Sequence, residues 1–408
     1  MRVRPILAAA ALTALVAAGC GSSGSSSSSS AGGSATASSS GSSAQAALTG
    51  KACSATIAIE APLTGPVAQL GQEQLHFAQL AVANDNKSLD VNVTLAQDDA
   101  QLTPSVAVQK AQSIISSNAL GVVGPAGSQV VEAVGPIFGK AGIPFVSGSA
   151  TLPALTTSGK NKTFLRVVPD DNVQGPQDAN YIVKHLHPKA VLIIDDDEAY
   201  SQGLVNVMIP IFKKAGIKVN HQTINGSNTG ATLDNALQSL VTSQLTPDET
   251  VTVLPWQAAA NAQQFGLDAQ QQHKTTTLFG TDGTDSPTQF KIVGSYVSNF
   301  GPDISSSNSA LDKSIVAGVA KYGPYGSFGV PSYSAADVLV RAIASECKEG
   351  HTPTRAGVLE AVHSTHIAPA SNPLGVEIAF KSNGDLVGQP GYLFKIEAGG
   401  KYVPIPNK

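Results

Sequence analysis

The sequence predicts an α/β protein: two layers of parallel sheet, each covered by helices. Three observations predict it. Short β-branched, apolar runs alternate with stretches whose apolar residues recur at helical spacing, the pattern of strands joined by crossover helices. The strand runs are almost continuously apolar, as sheets covered on both faces require. The alternation pauses after "TFLRVVPDDNVQG" and then restarts, giving two layers of similar size.

In the first layer, "ATIAIEAPL" reads as a strand ended by Pro62, and "QLHFAQLAVANDN" as a helix. "VNVTLAQDD" is a strand, and "PSVAVQKAQSIISSN" a helix with Pro104 suited to its first turn. "ALGVVGP" is a buried strand, "SQVVEAVGPIFGKAG" a helix expected to kink at Pro136, and "IPFVSGSAT" a strand. In the second layer, "AVLIIDDD", "IKVNHQTI", "ETVTVLP" and "TTTLFGTDG" are strands. Between them, "SQGLVNVMIPIFKKAG", "TLDNALQSLVTS" and "AAANAQQFGLDA" are helices. Two matched α/β layers place a cleft between them, and such clefts are favoured ligand sites.

The first fifty residues are of another kind. Arg2 and Arg4 precede an apolar run, Ile6 to Ala18, broken only by Thr13. It is shorter than the roughly 18–20 residues a spanning helix needs and has the form of a secretory signal. "AAGC", ending at Cys20, resembles the bacterial lipobox, in which the cysteine thiol is acylated and becomes the new N-terminus. Serine, glycine and alanine then dominate to about Ala47, a composition with no apolar face to bury and the properties of a flexible tether. The expectation is a signal over 1–19, an acylated Cys20 and a tether over 20–52, leaving the folded part outside the cytoplasm on a bacterial cell membrane.

The chain carries 42% hydrophobic and 13% charged residues and a formal net charge of −4, ample for large cores. No basic run lies beyond the signal, which argues against nucleic-acid binding. There is no H-E-x-x-H, C-x-x-C, Walker A or G-x-S-x-G pattern. The acidic run Asp195–Glu198 lacks the ligand spacing of a calcium loop, and His185 and His187 lie two apart, off a shared helix face. Neither an enzyme, a metal site nor a cofactor is expected.

Taken in order, "IAIEAPLTGPVAQLGQ", "QDDAQLTPSVAVQKAQSII", "GVVGPAGS", "AGIPFVSGSAT", "LRVVPDDNVQGP", "DDEAYSQGL" and "FKSNGDLVG" resemble the type I periplasmic binding proteins. The branch they resemble is that of the leucine/isoleucine/valine-binding proteins of ABC importers. The resemblance runs from about Ser54 to Phe394. It implies two lobes joined by crossings near Pro169, Phe300 and Leu386: lobe 1 over 53–169 and 300–386, lobe 2 over 170–299 and 387–408. It implies a monomer that captures an amino acid, of branched-chain type, and delivers it to a permease. Other small solutes (aromatic acids, amides, urea) and a ligand-sensing role are the alternatives.

Site residues follow from the same resemblance. Ser128, expected to cap a helix, and the loop Ser149, Ala150 and Thr151 would hold a carboxylate, since helix N-termini present free N–H groups. Tyr200 would close over the ligand, and Asp282 would pair with its ammonium, with Asp285 as a rival. Leu70 (where relatives carry an aromatic), Trp256 and Phe328 would form an apolar wall for the side chain. Cys53, just before the first strand, and Cys347, ending the helix "SAADVLVRAIASEC", fall at the same edge of lobe 1 in this fold. A disulfide between them is expected.

Overall fold

The computed structural model describes residues 53–226, 228–348, 352–388 and 391–406. Cys20, the signal and the tether lie outside them. The first sheet holds five parallel strands in the order β2-β1-β3-β4-β5: β1 (Cys53–Ala61), β2 (Val91–Asp99), β3 (Val122–Val123), β4 (Phe145–Ser147) and β5 (Phe164–Arg166). The connecting helices are α1 (Ala68–Leu89), α2 (Pro104–Ser116), α3 (Ser128–Ala141) and the short α4 (Ala154–Thr157). Helix α3 runs through Pro136 without a break.

Residues of β1 divide between two cores with period two, as strand geometry dictates. Ile57, Ile59 and Ala61 join one apolar cluster, built with Phe77, Leu80 and Leu339. Ala58 joins another, built with Val122, Val134 and Phe145. In the second cluster Phe138, Phe145 and Phe164 stack in sequence, with ring centroids 5.4 and 5.2 Å apart.

The second sheet has seven strands in the order β12-β11-β10-β9-β8-β6-β7. They are β6 (Ala190–Asp195), β7 (Lys218–Thr223), β8 (Glu249–Leu254), β9 (Thr277–Gly280), β10 (Tyr296–Asn299), β11 (Tyr392–Glu397) and β12 (Lys401–Ile405). Its helices are α5 (Asp171–Tyr181), α6 (Ala199–Lys214), α7 (Gly230–Gln244) and α8 (Ala259–Gln271). Leu192 and Ile194 face one core, Val191 and Ile193 the other. Five strands are parallel, but β11 and β12 pair antiparallel around Gly399 and Gly400 at the edge, an addition to the parallel layer the sequence predicts.

The chain passes between the sheets three times. It leaves the first after β5 and returns after β10 to supply α9 (Ala310–Val319), α10 (Gly329–Lys348) and α11 (Arg355–His363). It then passes back into β11. Helix α10 packs along α1 and over β1, β3 and β4. A disulfide joins Cys53, at the start of β1, to Cys347, in the last turn of α10, with Cα atoms 6.0 Å apart. Among the described residues, no helix is long and apolar enough to cross a membrane.

Candidate functional site

Both sheets reverse their strand order once among the parallel strands. The first does so between β1 and β3, the second between β6 and β8. Ligands of open α/β sheets bind beyond the carboxyl ends of the strands at such switch points. Here the loops from both sheets meet around one small cavity, with room for about one water molecule. The first sheet supplies Pro66, Val67, Gln69, Leu70 and Glu73, which follow β1. The second supplies Gln257, Ala258 and Ala259 after β8, and Gly283, Asp285, Ser286 and Gln289 after β9. Phe328, just before α10, completes the lining and stands edge-on to Phe300 at 5.9 Å.

Hydrogen bonds tie the two sides, among them one from Ser327 Oγ to the Asp285 carbonyl at 3.3 Å. Gln129 Nε2 donates to Gln257 Oε1 at 2.7 Å, and Ser286 Oγ to Gln69 Oε1 at 2.8 Å. A wider opening also borders Gln257, and Leu102, Asp196 and Asn261 help to line it. Close approach at the cavity rim needs glycine twice. A Cβ on Gly71 would lie 2.1 Å from the Pro62 carbonyl oxygen, and one on Gly283 would lie 2.3 Å from that of Trp256.

Of the residues expected at the site, the structure brings Leu70 and Phe328 to the cavity, with Asp285. The others lie elsewhere. Ser128 is the first residue of α3; Gly127 holds the cap position with φ 84°. The Ser128 hydroxyl accepts from Leu152 N at 3.2 Å, so it ties two loops together rather than capping its own helix. Ala150 N donates to Ser147 Oγ at 3.0 Å and Ser149 Oγ lies 3.5 Å from Gln74 Oε1. The Thr151 carbonyl accepts from Asp171 N at 3.0 Å. All four residues are buried.

Trp256 is a correction. Its ring belongs to the apolar cluster of the second sheet, edge-on to Phe265 at 6.2 Å, and forms no wall of the cavity. Its large apolar area is better satisfied in the core. Asp282 is held within its own lobe: Tyr200 Oη donates to Oδ1 at 2.6 Å and Gln174 Nε2 at 2.8 Å. Gly283 N in turn donates to Tyr200 Oη at 3.1 Å. Tyr200 and Asp282 thus brace each other behind the cavity lining.

Glu73, Gln69, Gln257, Ser286 and Gln289 are cavity residues that the sequence reading did not single out. For Glu73 a signal was present. It stands three residues after Leu70 and four after Gln69 in one helix, so it shares their face. Glu73 is nine-tenths buried, and burial raises its pKa to about 7 against the hydrogen bonds from Gln69 and Phe328 N. Asp285, fully buried, also rises to about 7. Burial is the main cause; the charges of Glu73 and Asp282 add to it, and bonds from Ser327 and Asn299 oppose it. Asp282 rises to about 6 through burial, held down by Tyr200 and Gln174. Among the described residues, no lysine, arginine or histidine lines the cavity.

The geometry is that of a solute cleft, and comparison with known proteins agrees. Residues 54–401 match the periplasmic binding protein family. The chain is 30% identical to the Leu/Ile/Val-binding protein BraC3 of Rhizobium johnstonii, over 84% of this chain and 92% of that one. Its fold is similar to that of the branched-chain amino acid transporter substrate-binding protein LivJ from Streptococcus pneumoniae, solved with isoleucine. That likeness has a TM-score of 0.73 at 19% identity and covers 86% of this chain and all of the other. A solute-binding protein from R. palustris, solved with benzoate, superposes with a TM-score of 0.72 at 17% identity, covering 87% and 96%. With nearly its whole folded length matched and two α/β sheets closing on one cleft, the chain belongs to the periplasmic binding protein family, with the type I fold.

Proposed function

We propose that this chain is an extracytoplasmic solute receptor, tethered to the membrane through a lipid on Cys20, that captures an amino acid and delivers it to an ABC importer. The observation that carries the reading is the closure of the carboxyl-edge loops of both sheets over one small cavity with polar groups from each side. The names of relatives that bind leucine, isoleucine and valine support a branched-chain ligand. The benzoate-bound neighbour keeps an aromatic acid as the second reading. Two buried carboxylates at the cavity weigh against it, because they would repel a ligand whose only charge is negative.

The test is mass spectrometry of the ligand released on denaturing protein purified without refolding, followed by calorimetric titration with that compound. Recovery of an amino acid is expected; an aromatic acid in its place would turn the reading to the second one. For the anchor, Cys20→Ala is expected to move the protein from the membrane fraction into the soluble extracytoplasmic fraction. Retention in salt-washed membranes would refute the lipid attachment.

A further inference from the structure

We propose that Glu73 and Asp285 hold a nitrogen cation of the ligand between them, one carboxylate from each side of the cleft. This rests on reading the cavity as the ligand site. Glu73 stands on α1 over the first sheet, and Asp285 follows β9 of the second. Both line the same cavity. Glu73 Oε1 accepts from Gln69 Nε2 at 2.6 Å and Oε2 from Phe328 N at 3.3 Å. Asp285 Oδ2 accepts from Asn299 Nδ2. An ionised carboxylate has about four acceptor positions, so each keeps capacity for another donor.

Among the described residues no lysine, arginine or histidine lines the cavity beside this pair, and buried carboxylates are ordinarily paired. Without a bound cation, protonation of either carboxyl relieves the repulsion. A ligand cation relieves it better, because it attracts both sides at once and favours the closed form by its differential affinity for that form.

The chemistry of the walls says what kind of cation. Leu70 and the Phe328 ring border the carboxylates, and an ammonium or guanidinium on a carbon skeleton satisfies both the charge and the apolar surface. A calcium ion would ask for six to eight oxygen ligands, and among the described residues no group of three or more acidic, histidine or cysteine side chains gathers to hold a metal. The cation has two possible sources: the α-ammonium of an aliphatic amino acid, or the side-chain cation of a basic one. Asp282, held by Tyr200 and Gln174, is then a positioning residue for the loop that carries Asp285.

The experiment is isothermal titration of the wild type, Glu73→Gln and Asp285→Asn with leucine, lysine, agmatine and 4-methylpentanoate. Both substitutions preserve volume, and circular dichroism checks that each variant is folded. The wild type is expected to bind at least one amine-bearing compound, and each variant to bind it at least about 30-fold more weakly. Titration at pH 7 in buffers of different ionisation enthalpy adds a signature that packing alone would not give. Binding should release protons from the wild type and fewer from either variant. Asp282, Tyr325 and Tyr402 also face Asp285 and are common to all three proteins.

Preference for leucine assigns the site to an α-ammonium, and preference for lysine or agmatine to a side-chain cation. Binding of agmatine with no amino acid would sink the amino-acid reading and leave the clamp standing. Leucine binding that both variants retain within threefold would sink the clamp and leave the reading. Failure of the wild type to bind any amine-bearing compound, or binding of 4-methylpentanoate as tightly as leucine, would overturn the clamp.

Discussion

Arg166 shows how one buried charge shapes the loops of this site. Its side chain is fully buried, and Nε donates to Asp385 Oδ1 at 2.8 Å, with Nη2 on the same oxygen at 2.7 Å. Nη1 donates to the carbonyls of Ala150 and Leu152 at 3.3 and 2.9 Å, and Nη2 to Thr156 Oγ1 at 2.9 Å. One guanidinium thus ties the loop carrying Ser149–Thr151 to the segment that leads into the last crossing. Removing one partner of a buried pair leaves the other charge and its acceptors unpaired, so Arg166→Ala is expected to lower stability by about 3–5 kcal/mol. Urea unfolding measures it; a loss under about 1 kcal/mol would mean that water replaces the guanidinium. Arg166→Lys should recover only part, since an ammonium lacks the planar fork. The site was legible at this scale only where partners are local. Leu70 and Phe328, expected from the resemblance, do line the cavity. Which of Asp282 and Asp285 meets the cavity is decided by Tyr200 and Gln174, which lie 82 and 108 residues from Asp282 in the chain, and no local pattern reports it.

Among the elements, the alternation of strand and helix was legible because strands β3, β4, β5, β6 and most of β8 are buried on both faces and most helices carry a buried stripe. The antiparallel pair β11–β12 was open to the same reading. "YLFKIEAGGKYVPI" carries two β-rich runs around Gly-Gly, a hairpin signal. The family resemblance ends near Phe394, and the strand–helix rhythm has no place for a hairpin. Helix α3 is continuous through Pro136, with Val130, Val134 and Phe138 packing it onto the core. The Cys53–Cys347 bridge joins a strand to a helix across 294 residues of sequence. In the chain-entropy model so long a loop contributes at most roughly 5–6 kcal/mol, and measured values are usually smaller. The double substitution Cys53→Ser, Cys347→Ser should lower the urea midpoint accordingly. Because β1 and α10 pack on the same sheet, it should leave ligand affinity within about twofold of the wild type. A large loss of affinity would show that the bridge positions the cleft as well as stabilising the fold.

For the whole molecule, the unusual feature is the number of acids that folding buries; Arg166 near Asp171 and Arg341 near Asp85 offset that burial only in part. Burial raises Glu60 and Asp171 to about 8 and Glu73 and Asp285 to about 7, and it raises Asp85 to about 9 beside Asp337. Unfolded, these carboxyls titrate near 4. A group whose folded pKa is raised contributes stability that is complete below its unfolded value and is lost as pH climbs through its folded value, because the native state then holds protons that the unfolded state has released. His76 and His363 oppose this. Burial lowers their pKa values, so their contribution is lost on acidification through the folded values. They are two groups set against five raised acids. The melting temperature of the unliganded protein should therefore fall between pH 5.5 and pH 8.5. A saturating ligand that places a cation between Glu73 and Asp285 should reduce that fall, since it stabilises the two ionised forms that alkaline pH otherwise penalises. Thermal unfolding across this range, with and without ligand, is the measurement. A melting temperature that is flat or rises with pH in the unliganded protein would show that water or rearrangement at the cleft relieves these acids before they titrate.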